Sequence, residues 1–160
     1  MGDWGNFFIA EAGASAALAG LIFVAVSINL NRIINYPRLV TRAFQSLALL
    51  VTILITASLM LVPGQSFTVV GIEILVVGVV IWLLNIYLDI RNFRQTDPQY
   101  RRAYSANILM GQLATLPYLI AGISILTTGE GGIYWLVPAL IFSVLQAILD
   151  SWVLLIEINR

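Results

Sequence analysis

The stretch Glu11-Ala12-Gly13-Ala14-Ser15-Ala16-Ala17-Leu18-Ala19-Gly20 lies inside an apolar run from Phe7 to about Leu30. At about 1.5 Å per residue that run is long enough to cross a hydrocarbon layer of about 30 Å. It reads as a membrane helix that carries one carboxylate among very small residues. The N-terminus lacks the basic region of a secretory signal and its apolar stretch is too long for one, so the helix is expected to stay as a span.

Working outward, the composition agrees. Sixty per cent of the 160 residues are hydrophobic and 10% are charged, which is outside the soluble globular range and predicts an all-α polytopic membrane protein. One transmembrane domain over 1–160 is the economical expectation. With neither cysteine nor histidine, the chain has no disulfide framework, thiol nucleophile or imidazole base. Eight arginines balance eight carboxylates and lysine is absent, so no basic tract points to nucleic acid.

Five spans are expected, over about 7–30, 40–62, 67–88, 103–126 and 133–158, with no room for a soluble domain. Pro63-Gly64-Gln65-Ser66 reads as a tight turn, since proline presets φ and glycine accepts positive φ. Asp97 followed by Pro98 reads as the cap and first residue of the fourth helix, and Thr127 to Gly132 as the next turn. The short connections predict antiparallel neighbours in a helical bundle. Arginines occupy the first-second connection (Arg32, Arg38, Arg42), the third-fourth connection (Arg91, Arg94, Arg101, Arg102) and the C-terminus (Arg160). The positive-inside rule then places the N-terminus outside and the C-terminus in the cytoplasm. Tyr36, Tyr100 and Tyr104 at the inner boundary, with Trp4, Tyr134 and Trp135 at the outer one, fit interfacial aromatic belts.

The polar groups fall on distinct helix faces. On the first helix Gly13, Ala17, Gly20, Val24, Ser27 and Asn31 share one side, while Glu11, Ser15, Leu18, Ile22, Ala25 and Asn29 share the other. Small residues let helices approach closely in lipid, so Gly13, Ala17 and Gly20 are expected to pack against a helix, either within the chain or in a second copy. Glu11 lies about 6 Å along its helix from Phe7, and Glu73 about 9 Å from Phe67. Both belong to the outer half, and every arginine is on the inner side. Such a carboxylate is protonated, is hydrogen bonded and partly hydrated, or attracts a cation; Gln65 and Ser66 are possible donors to Glu11. Asp150, about 12 Å from Ile158, shares a face with Ser143, Gln146 and Glu157. Arg42, Gln45, Ser46, Thr52 and Thr56 share a face of the second helix. Contact between these stripes pairs Arg42 with Asp150. Gly71, Gly78, Asn85 and Asp89 line the third helix, with Asp89 a competitor for the same arginines, and Gly111, Tyr118 and Gly122 line the fourth. Pro117 removes a backbone donor in midspan and leaves the Leu113 carbonyl open.

Catalytic constellations are missing. The sequence holds no His-Glu-x-x-His pattern, phosphate-cradling loop, nucleophile elbow or soft metal-ligand cluster, and Asp89 is too near a helix end to pair with a second aspartate for intramembrane proteolysis. No enzyme activity, cofactor or metal is expected.

Residues Glu11 to Leu21, continuing through Phe23-Val24 and Ser27-Ile28-Asn29, with Leu61-Val62-Pro63-Gly64-Gln65 after the second helix, resemble a family of small bacterial integral membrane proteins often labelled as modulators of a membrane AAA protease. The resemblance covers about residues 1–65. It implies a bacterial inner-membrane protein and draws attention to Glu11, Gly13, Gly20, Asn29 and the Pro63-Gly64-Gln65 turn. The functional expectation is a self-associating inner-membrane protein that binds or conducts a cation or proton. The alternative is a non-catalytic accessory or modulator subunit of a larger membrane complex. Glu11, Glu73 and Asp150 are the ion-site candidates, with Arg42, Asp89, Gln146, Asn29 and Gln65 as the polar network.

Overall fold

A computed structural model describes residues 4–94 and 101–158. Every element is helical: α1 (Gly5–Ile28), the single turn α2 (Leu30–Ile33), α3 (Pro37–Met60), α4 (Phe67–Arg94), α5 (Arg101–Thr128), a 3₁₀ segment (Gly129–Trp135) and α6 (Leu136–Ile158). No strand occurs among the described residues. Four stretches are long and apolar enough to cross a membrane: Gly5–Ile28, Leu39–Met60, Phe67–Arg94 and Tyr104–Trp152. Large apolar side chains cover the outside, among them Leu21, Phe23, Ile28 and Val80, each more than 60% exposed. So much apolar surface marks contact with lipid or with other helices.

The fourth stretch is 49 residues long, which as one straight helix would measure about 73 Å. It is not straight. Gly129 takes φ +65°, in the left-handed region that ends helices. Beyond it, Ser143 Oγ donates to the Ala114 carbonyl at 3.2 Å and lies 3.3 Å from the Tyr118 hydroxyl. Residues 25 and 29 positions apart meet only if the chain reverses, so α5 and the start of α6 form an antiparallel hairpin through the 3₁₀ segment.

The described residues form two compact units, one of 62–94 with 101–143 and one of 4–61 with 144–158. In the first, α4 and α5 approach to backbone contact. A Cβ on Gly78 would lie 3.0 Å from Tyr118 Cβ, and one on Gly122 only 2.7 Å from Leu75 Cα. Glycine is required there by this closeness, and the stripes Gly71/Gly78 and Tyr118/Gly122 are the ones that interlock. In the second unit α3 supplies the core, with Leu49, Leu50, Ile53 and Ala57 fully buried, and α1 packs beside it.

Several boundaries differ from expectation. The first helix stops at Ile28 and the single turn α2 follows; at the break the Asn29 backbone N–H and side-chain amide both donate to the Ala25 carbonyl, at 3.3 and 3.0 Å. Pro37 begins α3 at a position where its missing N–H costs nothing. Gly64, at φ +76°, makes the expected turn. Helix α4 continues past Leu88 to Arg94, with Arg91 and Arg94 in its last turn, where cations complement the helix dipole. Pro117 is accommodated within an unbroken α5. The expected Asp97–Pro98 cap lies outside the described residues, as do Tyr100 and Arg160.

Candidate functional site

The two polar stripes of the second unit meet. Along α3, Arg42, Gln45, Ser46, Leu49, Thr52 and Thr56 recur at helical spacing, and all except Arg42 are buried. Gln146 and Asp150 recur on α6 and are buried as well. Arg42 Nη1 stands 3.7 Å from Asp150 Oδ1, and Gln146 Nε2 donates to Asp150 Oδ2 at 2.8 Å. Asp150 is 2% exposed and Arg42 22%. A carboxylate held this far from solvent needs both partners, since an ion in an apolar interior is tolerated only when paired and hydrogen bonded. This cluster is a staple between α3 and the late part of α6. Leu49, Leu50 and Ile53, buried between Ser46 and Thr56, interrupt the polar face of α3 with apolar packing.

In the first unit the turn before α4 serves Glu73. Gln65 Nε2 donates to both of its carboxylate oxygens, at 3.1 and 3.3 Å. The Gln65 side-chain oxygen, Oε1, is buried and has no hydrogen-bond partner among the described residues. Gln65 is engaged by Glu73, and Ser66 Oγ accepts from the Val69 N–H at the start of α4. No described arginine contacts Glu73; an amide takes that place.

Glu11 is half-buried in α1 and makes no hydrogen bond or ion pair among the described residues. On the same side of the helix Ser15 is buried and turns its hydroxyl back to the Ala12 carbonyl at 3.1 Å. Gly13, Ala17 and Gly20 are all exposed, and a Cβ at either glycine would meet nothing within 4 Å. Among the described residues no side chain or backbone lies against Gly13 or Gly20, whereas glycines of α4, of α5 and of the 3₁₀ segment (Gly71, Gly78, Gly122, Gly132) are closely packed. Only Phe8 and Ser15 of the 24 residues of α1 are buried.

Asp89 belongs to the first unit. It is 3% exposed on α4, and the Tyr104 hydroxyl reaches its Oδ1 at 3.4 Å. Asn85 and Asn92 are buried on the same helix. Trp82 donates its indole N–H to Gln112 Oε1 at 3.0 Å. Helical spacing of Asn85, Asp89 and Asn92 signals a buried polar face, whereas the partners Tyr104 and Gln112 become visible only once α4 and α5 are in register. Asn29 lines an apolar groove of about 310 Å³ between α1 and α6, with Leu18, Ile22, Ile148 and Trp152. No group of three or more His, Cys, Asp or Glu side chains converges among the described residues.

Comparison with protein-family models, with curated proteins and with solved structures finds no match. The functional reading therefore rests on the placement of these groups alone.

Proposed function

We propose that this chain is a multi-pass bacterial inner-membrane protein that self-associates and binds or conducts a cation or proton at its outer carboxylate, Glu11. The observation that carries the reading is the isolation of that side chain. Among the acidic side chains of the long apolar helices, Glu73 has Gln65, Asp150 has Arg42 and Gln146, and Asp89 has Tyr104. Glu11 makes no comparable contact among the described residues. An ionisable group in a membrane helix is costly enough that its retention points to function, and here its neutralising partner must be a proton, a cation or another molecule.

The same reading has five crossings, with the N-terminus outside and the C-terminus in the cytoplasm. The hairpin through the 3₁₀ segment divides the 49-residue apolar stretch into two lengths that each suit a bilayer, and an odd number of crossings puts every arginine on one side. Self-association is supported by the open face of Gly13, Ala17 and Gly20.

Flux of protons and monovalent cations into proteoliposomes, compared between the wild type and Glu11→Gln, tests the reading. Flux that falls in the variant supports it; no flux in either protein between about pH 5 and pH 8 overturns it. Because the chain has no cysteine, Ala17→Cys adds a single thiol. Cross-linking between copies in native membranes supports self-association. The same open face favours a second reading, an accessory subunit docked on a larger membrane complex. That reading gains if Ala17→Cys cross-links to a different protein and never to itself.

A further inference from the structure

Where α4 ends, it forms a crevice with α5. The crevice measures about 250 Å³ and is walled by Ile86, Ile90, Phe93 and Ile108, with Gln112 at one end and Arg94 at the other. Its lining changes character along the helix. Ile86, Ile90 and Arg94 are four residues apart and share a face, so an apolar slot leads directly to a guanidinium. Arg91 and Arg94 are both exposed in the last turn of α4. The sequence adds Arg101 and Arg102 at the start of α5. Helix α4 has 28 residues, about 42 Å at the helical rise, which matches a bilayer including its headgroup regions. Arg94 at its end thus stands at headgroup depth, and the slot runs from there into the hydrocarbon.

We propose that this α4–α5 crevice binds an anionic phospholipid, one acyl chain lying along Ile86, Ile90 and Ile108 and the phosphate held by Arg94. The occupant follows from charge complementarity. Basic groups at the headgroup level beside an intramembrane crevice attract anionic lipid headgroups, and an arginine holds a phosphate through paired hydrogen bonds. The carboxylate that also borders the crevice, Asp89, is buried, already engaged by Tyr104, and five residues deeper than Arg94, about 7.5 Å along the axis. Its depth sets it away from the phosphate level. The inference requires that α4 cross the bilayer but is independent of Glu11, of self-association and of which side is cytoplasmic.

The test uses the full chain in nanodiscs containing equal amounts of phosphatidylglycerol and phosphatidylcholine, followed by native mass spectrometry. Several-fold more retained phosphatidylglycerol is expected, with Arg94→Gln bringing the two lipids to parity and Arg94→Lys keeping most of the preference. Ile108→Trp, which fills the slot, should remove the preferred lipid while leaving the arginine in place. Should that variant not fold, quenching of Trp82 by brominated phosphatidylglycerol, in a chain whose Trp4, Trp135 and Trp152 are replaced by phenylalanine, takes its place, because Trp82 is bonded to Gln112 at the deep end of the crevice. Stronger quenching than by brominated phosphatidylcholine supports the site, and equal quenching overturns it. Equal retention of the two lipids by the wild type, or a preference untouched by Arg94→Gln, also overturns it. Release of the lipid by soluble glycerol phosphate would show that the headgroup alone is recognised and would refute the crevice. Failure of Glu11-dependent flux has no bearing on any of these outcomes.

Discussion

Removing Arg42 should be among the most damaging single substitutions in the second unit. Its Nη1 lies 3.7 Å from Asp150 Oδ1. Two unit charges at that distance in an effective dielectric of about 20 attract by about 4.5 kcal/mol. Arg42→Ala leaves Asp150 with the Gln146 amide and its other local contacts but without the cation, at 2% exposure. Stranding a buried charge of this kind typically costs about 3–5 kcal/mol, in agreement with the Coulomb figure. Asp150→Ala should cost less, about 1–3 kcal/mol, because Arg42 is partly exposed and its long stem can carry the charge toward the headgroups. The double variant Arg42→Met/Asp150→Leu replaces the pair with apolar groups of similar size. It should return to within about 1 kcal/mol of the wild type or exceed it. Equilibrium unfolding in mixed micelles, run as a double-mutant cycle, measures the coupling directly. Single variants that each cost under about 1 kcal/mol and add without coupling would show that the two side chains are neighbours with no energetic link.

The other predictions concern the glycines and the turn. Gly122→Val should destabilise by about 1–3 kcal/mol through overpacking, because a Cβ there already collides with Leu75. Gly13→Leu should change the stability of the isolated chain by less than about 0.5 kcal/mol and reduce cross-linking between Ala17→Cys copies; both readouts come from one variant set. Gln65→Leu removes the amide that reaches both oxygens of Glu73. It should cost about 1 kcal/mol in the same unfolding assay, the low end for a bond to a charged group because both side chains are partly exposed. Gly64→Val forces a branched side chain into φ +76° and should cost about 1–2 kcal/mol, with no change in lipid retention.

What the sequence made legible was periodic. Apolar length announced the helices, and 3.6-residue spacing put Arg42 and Asp150 on stripes whose meeting the structure bears out. The same spacing marked Gly71, Gly78 and Gly122, but it gave Gly13 and Gly20 equal standing as packing residues. Spacing records only that a face is small, and which helix lies opposite is a matter of tertiary register. Gln65 illustrates a second limit. Its partner depends on the path of a four-residue turn, and that turn aims the amide at Glu73 on the helix it leads into. The pairing of Trp82 with Gln112 joins residues 30 positions apart, and neither carries a local signal of the other. The break at Asn29 has no local signature, since Asn85 bonds the carbonyl four residues back just as Asn29 does, yet inside an unbroken α4.

The salt bridge between α3 and α6 also imposes an order on biogenesis. Arg42 leaves the ribosome 108 residues before Asp150, and at about 5–20 residues per second that interval lasts on the order of 5–20 s. Throughout it the guanidinium has no carboxylate to meet, so α3 must enter the membrane with its charged end raised toward the headgroups. The second unit is thereby a late product of synthesis, begun by the first helices and closed by the last. A ribosome stalled before Asp150 should leave α3 inserted but shallow, so that a thiol-reactive reagent labels Ala43→Cys, beside an intact Arg42, readily in the arrested chain and slowly in the finished protein, where position 43 is buried.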